Sequence, residues 1–268
     1  MMESSLLLDL QNAMVAMALV MPRSFVVLAI LPGFGTRTLV GIARNAIALA
    51  IALPAWLPTY YFVKTGQVDY IMAMMLGFKE AGIGLMLGVL MALPIWALQS
   101  LGSILDTQRA STQVMADNAS FDSDASALGA MLVQAVVMVM IQAGLMTALV
   151  RIMIESYGLW PAFSLMPPFE LGQMDVVLKR FGEFFWHLAV YGGPVLIPLV
   201  LVDFAIAVVG IFAPNLQVSA ISSPIKSLLG LFILLVYWPT LAHYIAHDFS
   251  GVLDLIPLLL QAGPAGDR

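Results

Sequence analysis

No cysteine occurs in the 268 residues. That absence excludes disulfides, zinc–thiolate centres and thiol catalysis. Charge is also scarce, at 10% of residues against about 25% in soluble domains. The eleven basic residues form no cluster and the net charge is −5. Phosphate recognition needs concentrated Lys and Arg, so a nucleic-acid partner is excluded. A basic leader region is missing too. Glu3 and Asp9 stand where one would be, and the apolar run behind them is too long for a cleaved signal peptide. The first apolar segment is therefore expected to stay in the mature chain. No Gly-rich phosphate loop follows a strand pattern, and no nucleophile comes with a base and an orienter. The reading is of no enzyme, with no catalytic, cofactor or metal residues.

What the chain has instead is apolar side chain, 61% of it, with a mean hydropathy of +0.97. A water-soluble fold of this size cannot hide so much, because a large share of any folded surface faces solvent. Membrane lipid or apolar protein must cover the rest. Long apolar runs cover 6–31, 38–63, 70–105, 125–154, 176–211 and 225–246, with a short seventh at 252–260. A helix needs about 20 apolar residues to cross a hydrocarbon core of about 30 Å. Backbone groups in lipid must be satisfied within the segment, and no period-2 alternation suggests a barrel. The expected fold class is an all-α integral membrane protein with broken helices and hairpins. One membrane domain is expected over 1–262, with a short tail at 263–268.

Breakers and polar interruptions divide the runs. Pro22, Pro54, Pro58, Pro94, Pro194 and Pro198 lie inside them, and each removes a backbone donor. Gly192 and Gly193 precede Pro194, so the fifth run reads as two helices, and the third is expected to divide near Pro94. The stretch 106–124 is rich in Ser, Thr, Asp and Asn and reads as a polar loop. A second interruption, 157–180, ends in a segment, 169–181, that reads as a short amphipathic interfacial helix. Basic residues do not alternate between loops, so orientation is not set by charge.

Few residues invite chemistry. His243 and His247 share a helical face, but Tyr244 stands where a zinc protease has its glutamate. They read as a polar helix end, and His187 as packed. Asp203 is flanked by apolar residues. It reads as an inter-helix ion pair, with Arg23, Arg44 or Lys226 as candidate cations, against a proton relay, which needs several polar groups in line. Lys79 and Glu80 read as lying near a helix start. Gly84 and Gly88 are spaced for close helix packing. The 18 Met read as adaptable core filler rather than a compliant seal.

Three blocks carry a resemblance. Arg23-Ser-Phe-Val-Val-Leu-Ala-Ile-Leu-Pro32-Gly-Phe-Gly, with Arg37 and Arg44, opens the chain. Glu80, Gly84, Gly88, Gly102 and Asp106-Thr-Gln-Arg109 form a central block. Phe212-Ala-Pro214-Asn215-Leu-Gln-Val, Ser223-Pro224-Ile-Lys226 and Gly230 close it. In this order they resemble the SctT/FliR family of type III secretion and flagellar export proteins, and the SctT virulence branch more than the flagellar one. The resemblance implies a pore-forming structural subunit in the bacterial inner membrane, within the secretion basal body. SctR-like and SctS-like subunits would be its assembly partners, and an SctU-like switch protein and an SctV-like export gate its neighbours. Unfolded secreted proteins would pass through. It further implies that the polar loop helps close the pore, with Gln108, Arg109, Met115, Asn118 and Phe121 as the plug residues. Arg23, Pro32, Glu80, Gly84, Gly88, Asp203, Pro214, Asn215, Pro224 and Lys226 would serve structure and assembly. Two positions depart from the family, Ala110 where Gly is frequent and Asn118 where Pro is. The competing reading is a stand-alone ion-coupled secondary transporter, which broken helices and Asp203 would suit. No internal repeat of two halves supports it.

Overall fold

The structure is a computed structural model in which residues 2–34, 41–66, 68–109, 126–166, 174–212 and 218–253 are described. Among them are seven helices and no strand: α1 (Met2–Ile30), α2 (Gly41–Thr65), α3 (Tyr70–Arg109), α4 (Ala127–Gln142), α5 (Leu145–Leu159), α6 (Met174–Phe212) and α7 (Val218–Leu253). Five of these helices, all but α4 and α5, are long and apolar enough to cross a membrane. The chain is an all-α membrane protein, as its apolar runs require.

Helix boundaries follow local chemistry. α1 ends two residues before Pro32, where Gly33 takes a left-handed φ of 89° and the Phe34 N–H donates to the Leu31 carbonyl at 3.2 Å. Only glycine adopts that turn without strain. The fourth apolar run, expected to be one span, is two helices. Gly144, with φ 98°, separates α4 from α5.

The converse holds at the prolines. α6 continues through Gly192, Gly193 and Pro194 without a break, and α3 continues through Pro94. A proline ring crowds the Cβ of the preceding residue, and Gly193 has none. The polar loop also begins later than expected, since Asp106 to Arg109 are the last turn of α3. Tyr157 belongs to α5, and 174–181, expected in a separate amphipathic helix, are the first turns of α6. The seventh run is not separate at its start, because α7 extends through Leu253.

The chain divides into two compact units. The first holds α1, α2, α3 through Ala92, and α5. There Ala16 and Leu19 pack with Val63 and Leu76, flanked by Trp56, Tyr60 and Phe62. The second holds α3 from Leu93, α4, α6 from Phe181, and α7 through Phe249. Its core is built from helical stripes: Leu128, Leu132, Val136 and Met140 on α4, and Tyr191, Val195 and Leu199 on α6. Leu98, Leu101 and Leu105 of α3 are buried in the same unit. The fourfold spacing places each stripe on one helix face.

Candidate functional site

The first unit encloses a cluster of charge. Arg23 on α1 and Glu80 on α3 are both fully buried. The pair is bidentate, with Arg23 Nε donating to Glu80 Oε2 at 2.8 Å and Nη2 to Oε1 at 2.8 Å. Lys79 Nζ lies 2.7 Å from the same Glu80 Oε1. Two cations thus share one carboxylate. The surplus positive charge is met by four carbonyl oxygens just past α5: Trp160 accepts from Arg23, while Pro161, Ala162 and Ser164 accept from Lys79, all within 3.1 Å. The C-terminal end of a helix is negative by its macrodipole, so this is where surplus cation belongs. Arg23 Nη1 also donates to Ser156 Oγ at 3.0 Å, and its guanidinium stacks 4.1 Å over the Tyr157 ring. The Tyr157 hydroxyl donates to the Val20 carbonyl at 2.8 Å.

Small residues make that closeness attainable. A Cβ on Gly84 would lie 2.5 Å from the Arg23 carbonyl oxygen, and one on Gly88 would lie 3.2 Å from Val27 Cα. α1 therefore rests directly on α3, one turn from Glu80. The packing read from the spacing of the two glycines is present, and α1 is its counterpart. The groups of this cluster are spent on one another. Their arrangement is a lock across α1, α3 and α5.

In the second unit, Lys226 Nζ of α7 lies 2.6 Å from Asp203 Oδ1 of α6. Of the three candidate cations, Lys226 is the partner; Arg23 is held by Glu80, and Arg44 lies 5.2 Å from the Phe25 ring. A third arrangement was not expected. Asp106 Oδ2 accepts from Ser126 Oγ at 2.6 Å and from the Leu128 N–H at 2.9 Å, while Ser126 Oγ accepts from the Gly129 N–H at 2.8 Å. Asp106 and Ser126 together cap the start of α4. Beneath them Gly102 meets Gly129 so closely that a Cβ on Gly102 would collide with the Gly129 backbone. An Asp followed by a Ser twenty positions later carries no local signal, although Ser126 before an apolar run is a helix-start signature.

The remaining candidates are placed as follows. Gln108 and Arg109 end α3, and Met115, Asn118, Phe121, Pro214 and Asn215 lie outside the described residues. Pro32 lies in the turn after α1, and Pro224 sits inside α7, exposed. Lys79 and Glu80 are about three turns into α3 rather than near its start. His187 stacks on Tyr191 at 5.3 Å, and His243 and His247 are exposed on α7. A cavity of about 290 Å³ lies between α2 and α5, lined by Pro54, Pro58, Ile154, Gly158 and Phe163 among others.

Comparison with known proteins gives the chain a family. The profile of the bacterial export proteins, family 1, matches residues 14–252. The Yop proteins translocation protein T of Yersinia pestis is 30% identical over 252 residues, which is 94% of this chain and 96% of that protein. The surface presentation of antigens protein SpaR of Salmonella typhimurium is 26% identical, covering 87% of each chain. The secretion system apparatus protein SsaT of the same organism is 27% identical over 76% of this chain and 80% of its own. The chain belongs to the bacterial export proteins of family 1, the SctT/FliR family of type III export membrane proteins.

Proposed function

We propose that the protein is a pore-forming structural subunit of a type III export apparatus in the bacterial inner membrane, within the secretion basal body. It assembles with SctR-like and SctS-like subunits, beside an SctU-like switch protein and an SctV-like gate. The conduit they form passes unfolded secreted proteins. The subunit itself performs no chemical step.

The observation that carries this reading is the mismatch between helix length and bilayer in a member of an export family. α3 has 40 residues and α6 has 39, about 60 Å each at 1.5 Å per residue. That is twice a hydrocarbon core of about 30 Å. α4 and α5 have 16 and 15 residues, about 24 and 22 Å, and fall short of it. A solitary bilayer protein would leave the long helices projecting, and α4 and α5 would cross only together, as one broken span. Sister subunits that continue the apolar surroundings beyond the bilayer resolve the projection. In the same reading, Gln108 and Arg109 at the end of α3 and the segment after it, with Met115, Asn118 and Phe121, plug the resting pore.

The test is co-purification. A tagged chain expressed with SctR-like and SctS-like subunits should be recovered with both in mild detergent. Recovery as a solitary chain that transports a small solute would replace this reading with that of a secondary transporter.

A further inference from the structure

The ion pair in the second unit is lopsided. The Lys226 side chain is 3% exposed, whereas that of Asp203 is 42% exposed. The residues around Asp203 on α6 are exposed and apolar: Ile197 62%, Val200 56%, Leu201 61% and Phe204 70%. Asp203 lies nine residues before the end of the apolar span Phe185–Phe212, about 14 Å in along the helix axis. That is about a third of the way along the 28-residue span from that end, inside a hydrocarbon core of about 30 Å centred on it.

An ionised carboxylate offers about four lone-pair sites. Lys226, reaching Oδ1 from the buried side, does not use them all. Lipid facing this spot would leave the exposed side of the paired carboxylate against hydrocarbon, which is costly for a charged group. A water-filled path would explain the carboxylate but not the four bulky apolar neighbours around it. Wet pathways are lined by several polar groups. The surface that satisfies both features is apolar with one hydrogen-bond donor.

We propose that the α6 face centred on Asp203 is an interface for an apolar helix of a partner subunit, which places an amide, hydroxyl or cationic side chain against the exposed side of the carboxylate. This deepens the assembly reading above and rests on it. The intrachain pair with Lys226 fixes the carboxylate's position, so the partner meets an acceptor already oriented.

The absence of cysteine makes a clean test. Val200 and Ala207 flank Asp203 by about one turn and are exposed. Each is replaced in turn, in the full chain co-expressed with SctR-like and SctS-like subunits, by p-benzoylphenylalanine or by cysteine. The expected photoadduct maps to an apolar helix of a co-purified subunit, with a hydrogen-bonding side chain within a turn of the adduct. The cysteines should resist a charged thiol reagent in the assembled complex. Lipid adducts alone, or rapid labelling by the charged reagent, overturn the proposal while co-purification leaves the assembly reading standing. If the subunits do not co-purify at all, both fall.

The double variant D203K/K226D separates the intrachain pair from the interface. It keeps an ion pair but turns an ammonium outward. Recovered complex should fall at least about tenfold, given what a misplaced interfacial charge costs, with the amount of inserted chain unchanged. Full recovery of complex would show that the intrachain pair alone matters and would overturn the interface. The photoadduct decides the question even if the double variant inserts poorly.

Discussion

At the scale of single residues, the Arg23–Glu80–Lys79 cluster governs stability. Removing one member of a buried charge network leaves the others uncompensated, typically at about 3–5 kcal/mol. Glu80→Gln leaves two cations facing a neutral amide, so it should be the worst single change in the cluster. Thermal unfolding of the purified chain in detergent should drop by about 10 °C. Lys79→Met should cost less, because Glu80 keeps its bidentate Arg23 and only neutral carbonyls lose a donor. An unchanged midpoint for Glu80→Gln would mean the cluster is not locked as drawn. The sequence singled out Arg23 and Glu80 through their motifs, but not as partners. The two are 57 positions apart, and no local pattern spans that distance. Lys226 was one of three candidate cations for Asp203, and no local pattern chose it over Arg23 and Arg44.

At the scale of elements, close helix contacts and caps are separable by mutation. Gly84→Ala puts a Cβ against the Arg23 backbone, which cannot step aside without moving α1. Overpacking of this kind costs about 1–3 kcal/mol. Gly77 lies on the same helix with open space around its Cβ direction. Gly77→Ala should therefore stabilise the isolated chain, by up to about 1 kcal/mol of helix propensity. Opposite signs for the two changes in one detergent melt would support the α1–α3 contact, and equal effects would sink it. Asp106→Ala removes the acceptor for Ser126 and Leu128, so the start of α4 should fray. Hydrogen exchange at 127–130 should speed up by about tenfold, the effect of a lost cap near 1.4 kcal/mol. Unaltered exchange there would mean that Ser126 caps α4 unaided. Most spans were legible, because long apolar runs have few alternatives to helix in lipid. Their interruptions were not. Pro94 and Pro194 look like breakers yet sit inside continuous helices, whereas Gly144, one glycine among 21, ends α4. A proline's effect depends on whether neighbours leave room for its ring. A glycine's depends on a backbone angle that the sequence does not state.

At the scale of the whole molecule, two features argue against autonomy. α3 and α6 are longer than one bilayer and neither α4 nor α5 crosses one alone, and Arg23, Glu80, Lys79 and the Lys226–Asp203 pair are arranged as locks rather than as a line of relays. A solitary transporter needs a path with alternating access and polar groups along it. In liposomes the chain alone should therefore leave the membrane tight to small ions and should accumulate no solute under an imposed proton gradient. With SctR-like and SctS-like subunits the resting complex should also be tight, its conduit closed by the segment after α3. Deleting 110–121 should then raise conductance in the complex but not in liposomes holding the chain alone. That deletion leaves Asp106 and Ser126 in place, so the cap on α4 survives and a leak can be ascribed to the missing segment. The excised stretch contains Met115, Asn118 and Phe121, while Gln108 and Arg109 stay on α3, so their share is measured separately by Gln108→Ala and Arg109→Ala. A leak from the chain alone would mean that the conduit does not require sister subunits. A complex that stays tight after the deletion would place the closing element elsewhere in the assembly.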